Sequence, residues 1–262
     1  MPDGKAYTHS DFTRIFNSLA RHKHRYEVFR DFVTISAISL HNVVRMDDSL
    51  EQEYFQIIKA YKKDELLMFS ELLAVLIELL EPEPRDVLGG LYMELELGNE
   101  TVGQFFTPPD VSHMMAQMLY GDQIGEMDQD FITLSEPACG AGGMILAFTK
   151  VMLSYHHNPA NKLWVQCIDI DRLAALMCYV QLSLWNIPAE VVVGNTLSLE
   201  IREVLYTPAH YLYDWDMKLH YRQAKKLLTE AVLPQEADEP EVSPERPDRV
   251  LRGDDLQFDF GF

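Results

Sequence analysis

A glycine-rich segment from Ser135 to Gly143 has the residue types best suited to binding a ligand. It reads Ser-Glu-Pro-Ala-Cys-Gly-Ala-Gly-Gly, follows the apolar run that begins at Phe131, and precedes a helical pattern. Glycines let the backbone turn sharply and approach a ligand where a Cβ would collide. A turn of this kind between a strand and a helix is where an open parallel sheet binds a nucleotide-containing cofactor.

Three further blocks keep a fixed order around this loop. Upstream, residues 103–108 read Gly-Gln-Phe-Phe-Thr-Pro; downstream, Asp-Ile-Asp at 169–171 ends a second predicted strand, and Gly-Asn-Thr-Leu at 194–197 ends a third. A carboxylate at the end of a strand can accept hydrogen bonds from both hydroxyls of a ribose. Each block alone is compatible with an ordinary strand end or core segment. Their joint order favours a cofactor site.

The four blocks together resemble the N6-adenine DNA methyltransferases, specifically the modification subunits of type I restriction systems. The resemblance extends back through Asp-Val-Leu-Gly-Gly-Leu-Tyr at 86–92 and covers roughly residues 85–200. It implies a Rossmann-like class I methyltransferase core, S-adenosylmethionine as the cofactor, and site-specific adenine methylation as the activity of the family.

The resemblance also assigns cofactor contacts to individual residues. These are Phe105, Phe106, Thr107, Glu136, Ala138, Gly140, Gly142, Asp169, Ile170 and Asn195. The three residues of the first block would contact the methionine moiety, and the glycine loop would lie under it. Asp169 would hold the ribose, and Ile170 would lie against the adenine ring. Asn195 stands where the family usually has an aspartate, and its amide oxygen would accept a bond from the adenine amino group.

The residues that would bind the target base are harder to find. Adenine methylation needs a flipped base held by acceptors and stacked on an aromatic ring, for which the family uses an Asn-Pro-Pro-aromatic block after strand four. No such block occurs here, so the catalytic residues are unknown. The best positional candidates follow a predicted fourth strand at 204–206: Thr207, Pro208 and Tyr211. A plain loop is the alternative. The chain is therefore expected to be a truncated family member.

The periodicity of apolar residues predicts how these motifs are positioned. Two helices are predicted between Ser10 and about Arg45, a third helical region from Leu50 to Leu80, and a short helix from Arg85 to Leu97. Beyond residue 103, strands alternate with helices, which is typical of a parallel, doubly wound α/β sheet. We predict a helical region at 1–100, an S-adenosylmethionine-binding methyltransferase-like domain at 101–233 and an acidic disordered tail at 234–262.

Composition limits the function classes. The net charge of −19 opposes the DNA backbone, so DNA binding by the chain alone is not expected. The acidity either keeps the protein soluble, faces a basic partner or imitates DNA. No apolar run is long enough for a membrane span, and the three cysteines form no CxxC pair. These features indicate a cytoplasmic protein, and no metal site is expected.

Partners are predicted from the short sheet and from the C-terminal sequence. A sheet that stops near strand four leaves an edge that a protein partner, a second copy or the acidic tail would cover. The last ten residues carry four apolar side chains that could dock into a groove on a partner, with a frayed terminus as the alternative: Leu256, Phe258, Phe260 and Phe262.

Three functions are compatible with these features. The first is an S-adenosylmethionine-binding protein with lost or weakened independent methylation and a binding or regulatory role. The second is an active adenine methyltransferase with a degenerate or partner-completed site. The third is an acidic DNA mimic that modulates a restriction-modification complex.

Overall fold

The computed structural model describes residues 7–95, 97, 107–232 and 257–259. Its first part consists of five helices: α1 His9–Ser18, α2 Arg25–Asn42, α3 Asp48–Ile58, α4 Lys63–Leu80 and α5 Val87–Glu94. Two helices were predicted where α1 and α2 form, and one region where α3 and α4 form. Between α3 and α4, Tyr61 is buried and its hydroxyl donates to Asp31 Oδ2 of α2 at 2.7 Å.

The helical region packs on the rest of the molecule through a continuous apolar core. Aromatic rings line the interior of the bundle, where Phe32 stacks on Phe69 with ring centroids 6.2 Å apart. The α2 helix packs on a helix of the second part, α9 (Arg172–Leu184). The buried side chains of both parts belong to the same hydrophobic cluster. The helical region therefore packs on α9, the helix that connects β2 to β3.

The second part is an α/β layer. Its elements are α6 Pro109–Gly125, β1 Ile132–Glu136, α7 Gly143–Ser154, α8 Pro159–Lys162, β2 Leu163–Asp169, α9, β3 Ala189–Asn195, β4 Glu200–Tyr206, α10 Pro208–Leu212, α11 Trp215–Val232 and β5 Gln257–Asp259. The strand order is β4-β3-β2-β1-β5. The strands β1, β2, β3 and β5 are parallel, and β4 is antiparallel to β3. The predicted α/β class is confirmed.

The crossovers place the main helices on one face of the sheet. Both β1-α7-β2 and β2-α9-β3 move in the same direction, so right-handed connections put α7 and α9 on the same side. The strand residues facing these helices are buried, and the alternate side chains of β1 and β2 are only partly buried. The carboxyl ends of the parallel strands β1, β2 and β3 consequently lie side by side at one end of the sheet. The predicted cofactor blocks begin there.

Two predictions about the sheet are corrected. The strand predicted as the fourth is β4, but it forms an antiparallel hairpin with β3 at the far edge. The other side of β1 is instead paired by β5, with Thr133 opposite Gln257 and Ser135 opposite Asp259. Three residues of the tail predicted to be disordered thus form a strand. These residues, 257–259, pair with the side of β1 that β2 does not occupy; the occupant predicted for the edge near strand four stays a prediction.

The structure also bears on two other groups of expectations. Phe105, Phe106, Leu256, Phe260 and Phe262 lie outside the described residues. Within the part that the structure describes, no helix has both the length and the apolar character needed to cross a membrane. No group of three or more histidine, cysteine or acidic side chains in that part is placed to hold a metal ion.

Candidate cofactor site

The loop after β1 depends on two glycines in the left-handed region. Gly140 has a φ of 53° and Gly142 a φ of 92°. The Gly142 N–H donates to the Cys139 carbonyl at 2.8 Å and closes the turn directly before α7. A Cβ at Gly142 would lie 2.9 Å from the Cys178 Sγ. The loop therefore needs glycine at this position both for its backbone conformation and for its packing.

Asp169 connects the end of β2 to this loop. Its Oδ2 accepts the Gly140 N–H at 2.8 Å, and its Oδ1 accepts the Asp171 N–H at 2.8 Å. Burial raises the pKa of the Asp169 carboxyl, although the two N–H donors oppose the shift. A carboxylate has about four acceptor sites, so Asp169 keeps acceptor capacity for a ligand hydroxyl. Asp171 has a different role, because its Oδ1 accepts the Leu173 N–H at 2.7 Å and caps α9.

The turn after β3 closes the third side of the site. The Thr196 hydroxyl donates to the Pro137 carbonyl at 2.6 Å, which joins this turn to the glycine loop. The Asn195 Oδ1 accepts the N–H groups of Leu197 at 2.9 Å and Ser198 at 3.3 Å. The oxygen predicted to contact adenine is therefore already occupied by the turn of its own chain. The contact of this oxygen with the adenine amino group stays a prediction.

The remaining predicted contacts surround the loop. Glu136 ends β1 and is buried, and its Oε1 accepts the Ala138 N–H at 3.3 Å. Ile170 leaves 61% of its surface exposed beside the Asp169 carboxylate, so an apolar face is accessible there. Thr107 is exposed shortly before α6, and the next residues of that helix line a small cleft together with Gly143. The structure thus brings the described contacts of the first three strands to one edge.

Comparison with known protein families identifies the family of this chain. The model of the family described as N-6 DNA methylase matches residues 85–223, which is more than half of the chain. The chain belongs to the N-6 DNA methylase family. No curated protein matches the chain. The matched range includes α5, the glycine loop, Asp169 and Asn195, so the family assignment and the site geometry cover the same residues.

A solved structure also matches. It is assigned to the class I S-adenosylmethionine-dependent methyltransferases and comes from Listeria monocytogenes; the identity is 12% and the TM-score 0.37. The match covers 69% of this chain and 51% of that chain, so the chain spans about half the length of the matched structure. The second part has the parallel strands joined by helices that the sequence predicted for a Rossmann-like core.

The candidates for binding the target base lie at the wrong end of this methylase core. Thr207 is fully buried; its hydroxyl donates to the Ile187 carbonyl at 2.7 Å and accepts the Ala189 N–H at 2.9 Å. Ala189 begins β3, whereas the site lies at the other end of that strand, about 20 Å away at ~3.3 Å per residue. Thr207 and Pro208 therefore lie at the open end of the β3–β4 hairpin, away from the cofactor loop.

Tyr211 follows on the same α10 helix and has a separate contact. The Arg45 guanidinium donates to its hydroxyl at 3.3 Å and lies 5.8 Å from the ring centroid. This contact joins α10 to the end of α2. None of the three base-binding candidates is placed to meet a substrate at the cofactor loop.

Two residues that support the loop were not among the predicted contacts. The sequence predicted no contact for Thr196, which lies in the Gly-Asn-Thr-Leu block at 194–197, and none for Gln181. Gln181 stands alone as an uncharged amide within the apolar stretch of α9 and is fully buried. A lone polar residue inside such a stretch is a sequence signal that could have identified it, because buried amides require hydrogen-bond partners.

The cysteine of the loop does not supply a nucleophile. Cys139 leaves 7% of its surface exposed, and Cys167 and Cys178 are fully buried. Burial raises the pKa of the Cys167 thiol well above its ordinary value. Since the thiolate is the nucleophilic form, the buried thiols are poorly suited to nucleophilic chemistry and pack beneath the loop.

Proposed function

We propose that the chain binds S-adenosylmethionine at the carboxyl edge of β1, β2 and β3. The observation that carries this proposal is the bond between the Asp169 carboxylate and the Gly140 N–H, because it makes the acid and the glycine loop a single unit. The methionine moiety would lie over Glu136, Ala138 and the loop glycines. The ribose would meet Asp169, and the adenine would meet the exposed face of Ile170.

The residues present fit this cofactor. A side chain at Gly142 would displace the backbone that the ligand approaches. Asp169 has lone pairs left for two hydroxyls, and Ile170 offers an accessible apolar surface. When bound, the cofactor supplies an electrophilic methyl group. The contribution of Phe105, Phe106 and Thr107 to the methionine moiety is part of the proposal and is supported by the resemblance of their block to that of the family.

We propose that the methyl acceptor, the target base, binds next to β5. With the ribose at β2 and the adenine at β3, the methionine end lies over β1, and the free side of β1 is the side that β5 occupies. Asp259 pairs with Ser135, one residue before β1 ends at Glu136. A target base would approach here rather than at α10.

We further propose that this chain alone binds the cofactor without methylating DNA. Two features of the sequence support this: it contains no Asn-Pro-Pro-aromatic block, and its net charge of −19 opposes duplex DNA. The role that fits both is that of a binding or regulatory component, of the modification-subunit type of type I restriction systems, whose partner contributes the DNA contacts. An active enzyme with a partner-completed acceptor site is the second candidate, favoured by the position of β5.

Calorimetric titration with S-adenosylmethionine tests the first part of the proposal. The wild-type chain is expected to bind, and Asp169→Ala to bind much more weakly. Absence of any binding heat and of any thermal stabilisation in the wild type would refute it. Asp171→Asn is the matched control, because asparagine caps helices as well as aspartate does.

A methyl-transfer assay on adenine-containing duplex DNA tests the second part. We expect no transfer by the chain alone. Transfer that is abolished by Asp169→Ala would overturn the proposed loss of independent activity and leave cofactor binding supported. Transfer that appears only when a candidate partner is added would favour the partner-completed enzyme.

A further inference from the structure

The amide of Gln181 lies directly behind the cofactor loop. It is in the middle of α9, is fully buried and is flanked by buried apolar neighbours. Its Nε2 donates to the Ala141 carbonyl at 2.8 Å and to the Asp86 Oδ1 at 2.9 Å. Its Oε1 accepts the N–H groups of Val87 at 2.8 Å and Leu88 at 3.1 Å. The two donors and two acceptor sites of the amide are all used.

These bonds allow only one orientation of the amide. A flipped Gln181 would point its oxygen at the Ala141 carbonyl and the Asp86 carboxylate, and its N–H groups at two backbone donors of α5. Both replacements are repulsive in a buried environment, where unsatisfied polar groups are costly. The side chain is therefore a rigid bridge between the start of α5 and the loop.

The position of Ala141 explains why this bridge matters. Its neighbours are Gly140, whose N–H reaches Asp169, and Gly142, whose φ is 92°. Glycine permits several backbone conformations, so the peptide between Ala141 and Gly142 could rotate. A carbonyl that rotated out of the core would present a negative dipole to the carboxylate of the methionine moiety. The bond from Gln181 keeps that carbonyl pointing inward.

The other end of the bridge is anchored by Asp86. Its Oδ1 accepts the Gly89 N–H at 2.7 Å and caps α5. Burial raises the pKa of the Asp86 carboxyl above its ordinary value, and the hydrogen bond from Gln181 opposes part of this increase. A Cβ at Gly143 would lie 3.6 Å from the Asp86 Cβ, so the cap also packs against the first residue of α7. Asp86 and Gln181 together join α5, α9 and the loop.

We propose that Gln181 is a positioning residue that holds the Ala141 carbonyl inward and so keeps the glycine loop in the form that accepts S-adenosylmethionine. The proposal rests on the cofactor site proposed above. It assigns to the helical region a direct part in cofactor binding, because α5 fixes the amide that fixes the loop.

Two variants and one control test the proposal. Gln181→Leu removes all four bonds, whereas Gln181→Glu keeps the shape and the acceptor for α5 but loses the amide donor to Ala141. Both are expected to bind S-adenosylmethionine at least about tenfold more weakly in calorimetry. Phe69→Leu destabilises the helical core far from the loop and is expected to leave the affinity within about twofold. A loss of affinity that merely follows stability in all three variants would overturn the proposal.

Amide hydrogen exchange on the free chain separates this proposal from that of cofactor binding. The N–H groups of Gly140 and Gly142 are expected to exchange faster in both Gln181 variants and to be unaffected by Phe69→Leu. If the wild type binds no cofactor but these amides respond, the proposed function fails and the positioning role stands. If the wild type binds and neither the affinity nor the exchange responds to the Gln181 variants, the positioning role is refuted.

Discussion

The carboxylate of Asp169 accepts the backbone N–H of Gly140 at 2.8 Å, across the gap between the ends of β2 and β1. The same carboxylate accepts the N–H of Asp171. An acid that organises two backbone segments is already held in place before a ligand arrives. Pre-organisation of this kind lowers the entropic cost of binding, and it makes Asp169 the position at which substitutions should affect the cofactor most.

Asp169→Asn is expected to weaken S-adenosylmethionine binding by about 2 kcal/mol, roughly thirtyfold, because one charged acceptor for the ribose hydroxyls is lost. Calorimetry measures this directly. Asp171→Asn serves as the control and should change neither the affinity nor the unfolding temperature appreciably. Equal effects of the two substitutions would contradict the distinction that the structure makes between these acids.

The pH dependence of binding follows from the raised pKa of Asp169. A protonated carboxyl loses acceptor capacity, so the affinity for S-adenosylmethionine should fall as the pH is lowered through this pKa, which lies above the ordinary value of 3.8. The stability of the fold depends on this group in the opposite direction. The raised pKa of Asp169 stabilises the folded state fully below the unfolded-state pKa, and this stabilisation is lost as the pH rises through the folded-state pKa. Titrations at decreasing pH should show the loss in the wild type and a flat profile in Asp169→Asn.

The parts of this site that could be predicted from the sequence are those with local signals. The glycine loop and Asp169 follow apolar strands directly, so their edge of the sheet could be predicted from parallel alternation. The turn in which the Asn195 oxygen accepts the Leu197 N–H also has a local signal, because asparagine side chains commonly bond the backbone two residues further on. The bonds of Gln181 could not be predicted from local patterns, because its partners Ala141 and Asp86 lie 40 and 95 residues away.

Strand neighbours could not be predicted from local patterns either. The stretch at 204–206 has the composition of a strand and forms one, but its direction and neighbour depend on the hairpin after Asn195. The acidic composition of the tail concealed Gln257–Asp259, which gains its strand conformation only by pairing with β1. Pairing is a tertiary effect, and β propensity depends strongly on such context.

Gly142→Ala tests the steric requirement of the loop. The φ of 92° and the 2.9 Å approach of a Cβ to the Cys178 Sγ predict a destabilisation of about 1–3 kcal/mol, measured by chemical unfolding. Gly90→Ala is the matched control: it lies in α5, and apart from its chain neighbours and the backbone of its own helix, no described atom would lie within 4 Å of an added methyl group, so it should be neutral or stabilising by up to about 1 kcal/mol. A neutral Gly142→Ala would show that the loop adopts another conformation.

The pairing of β5 with β1 can be tested by substitution in β5. It lies on the side where the target base is proposed to bind. Phe258→Pro removes a backbone N–H from the strand that faces Leu134. We expect faster hydrogen exchange at those amides of Thr133–Ser135 that point toward β5, with the β1 amides that point toward β2 and the amides of the helical region unchanged.

Phe258→Ala retains the N–H and serves as the control for the loss of the phenyl ring. It is expected to leave the β1 amides protected, because the pairing is made by the backbone. Equal protection of β1 in the wild type and in Phe258→Pro would show that another segment or a partner covers this edge. In that case the acceptor side would have to be assigned to that occupant rather than to β5.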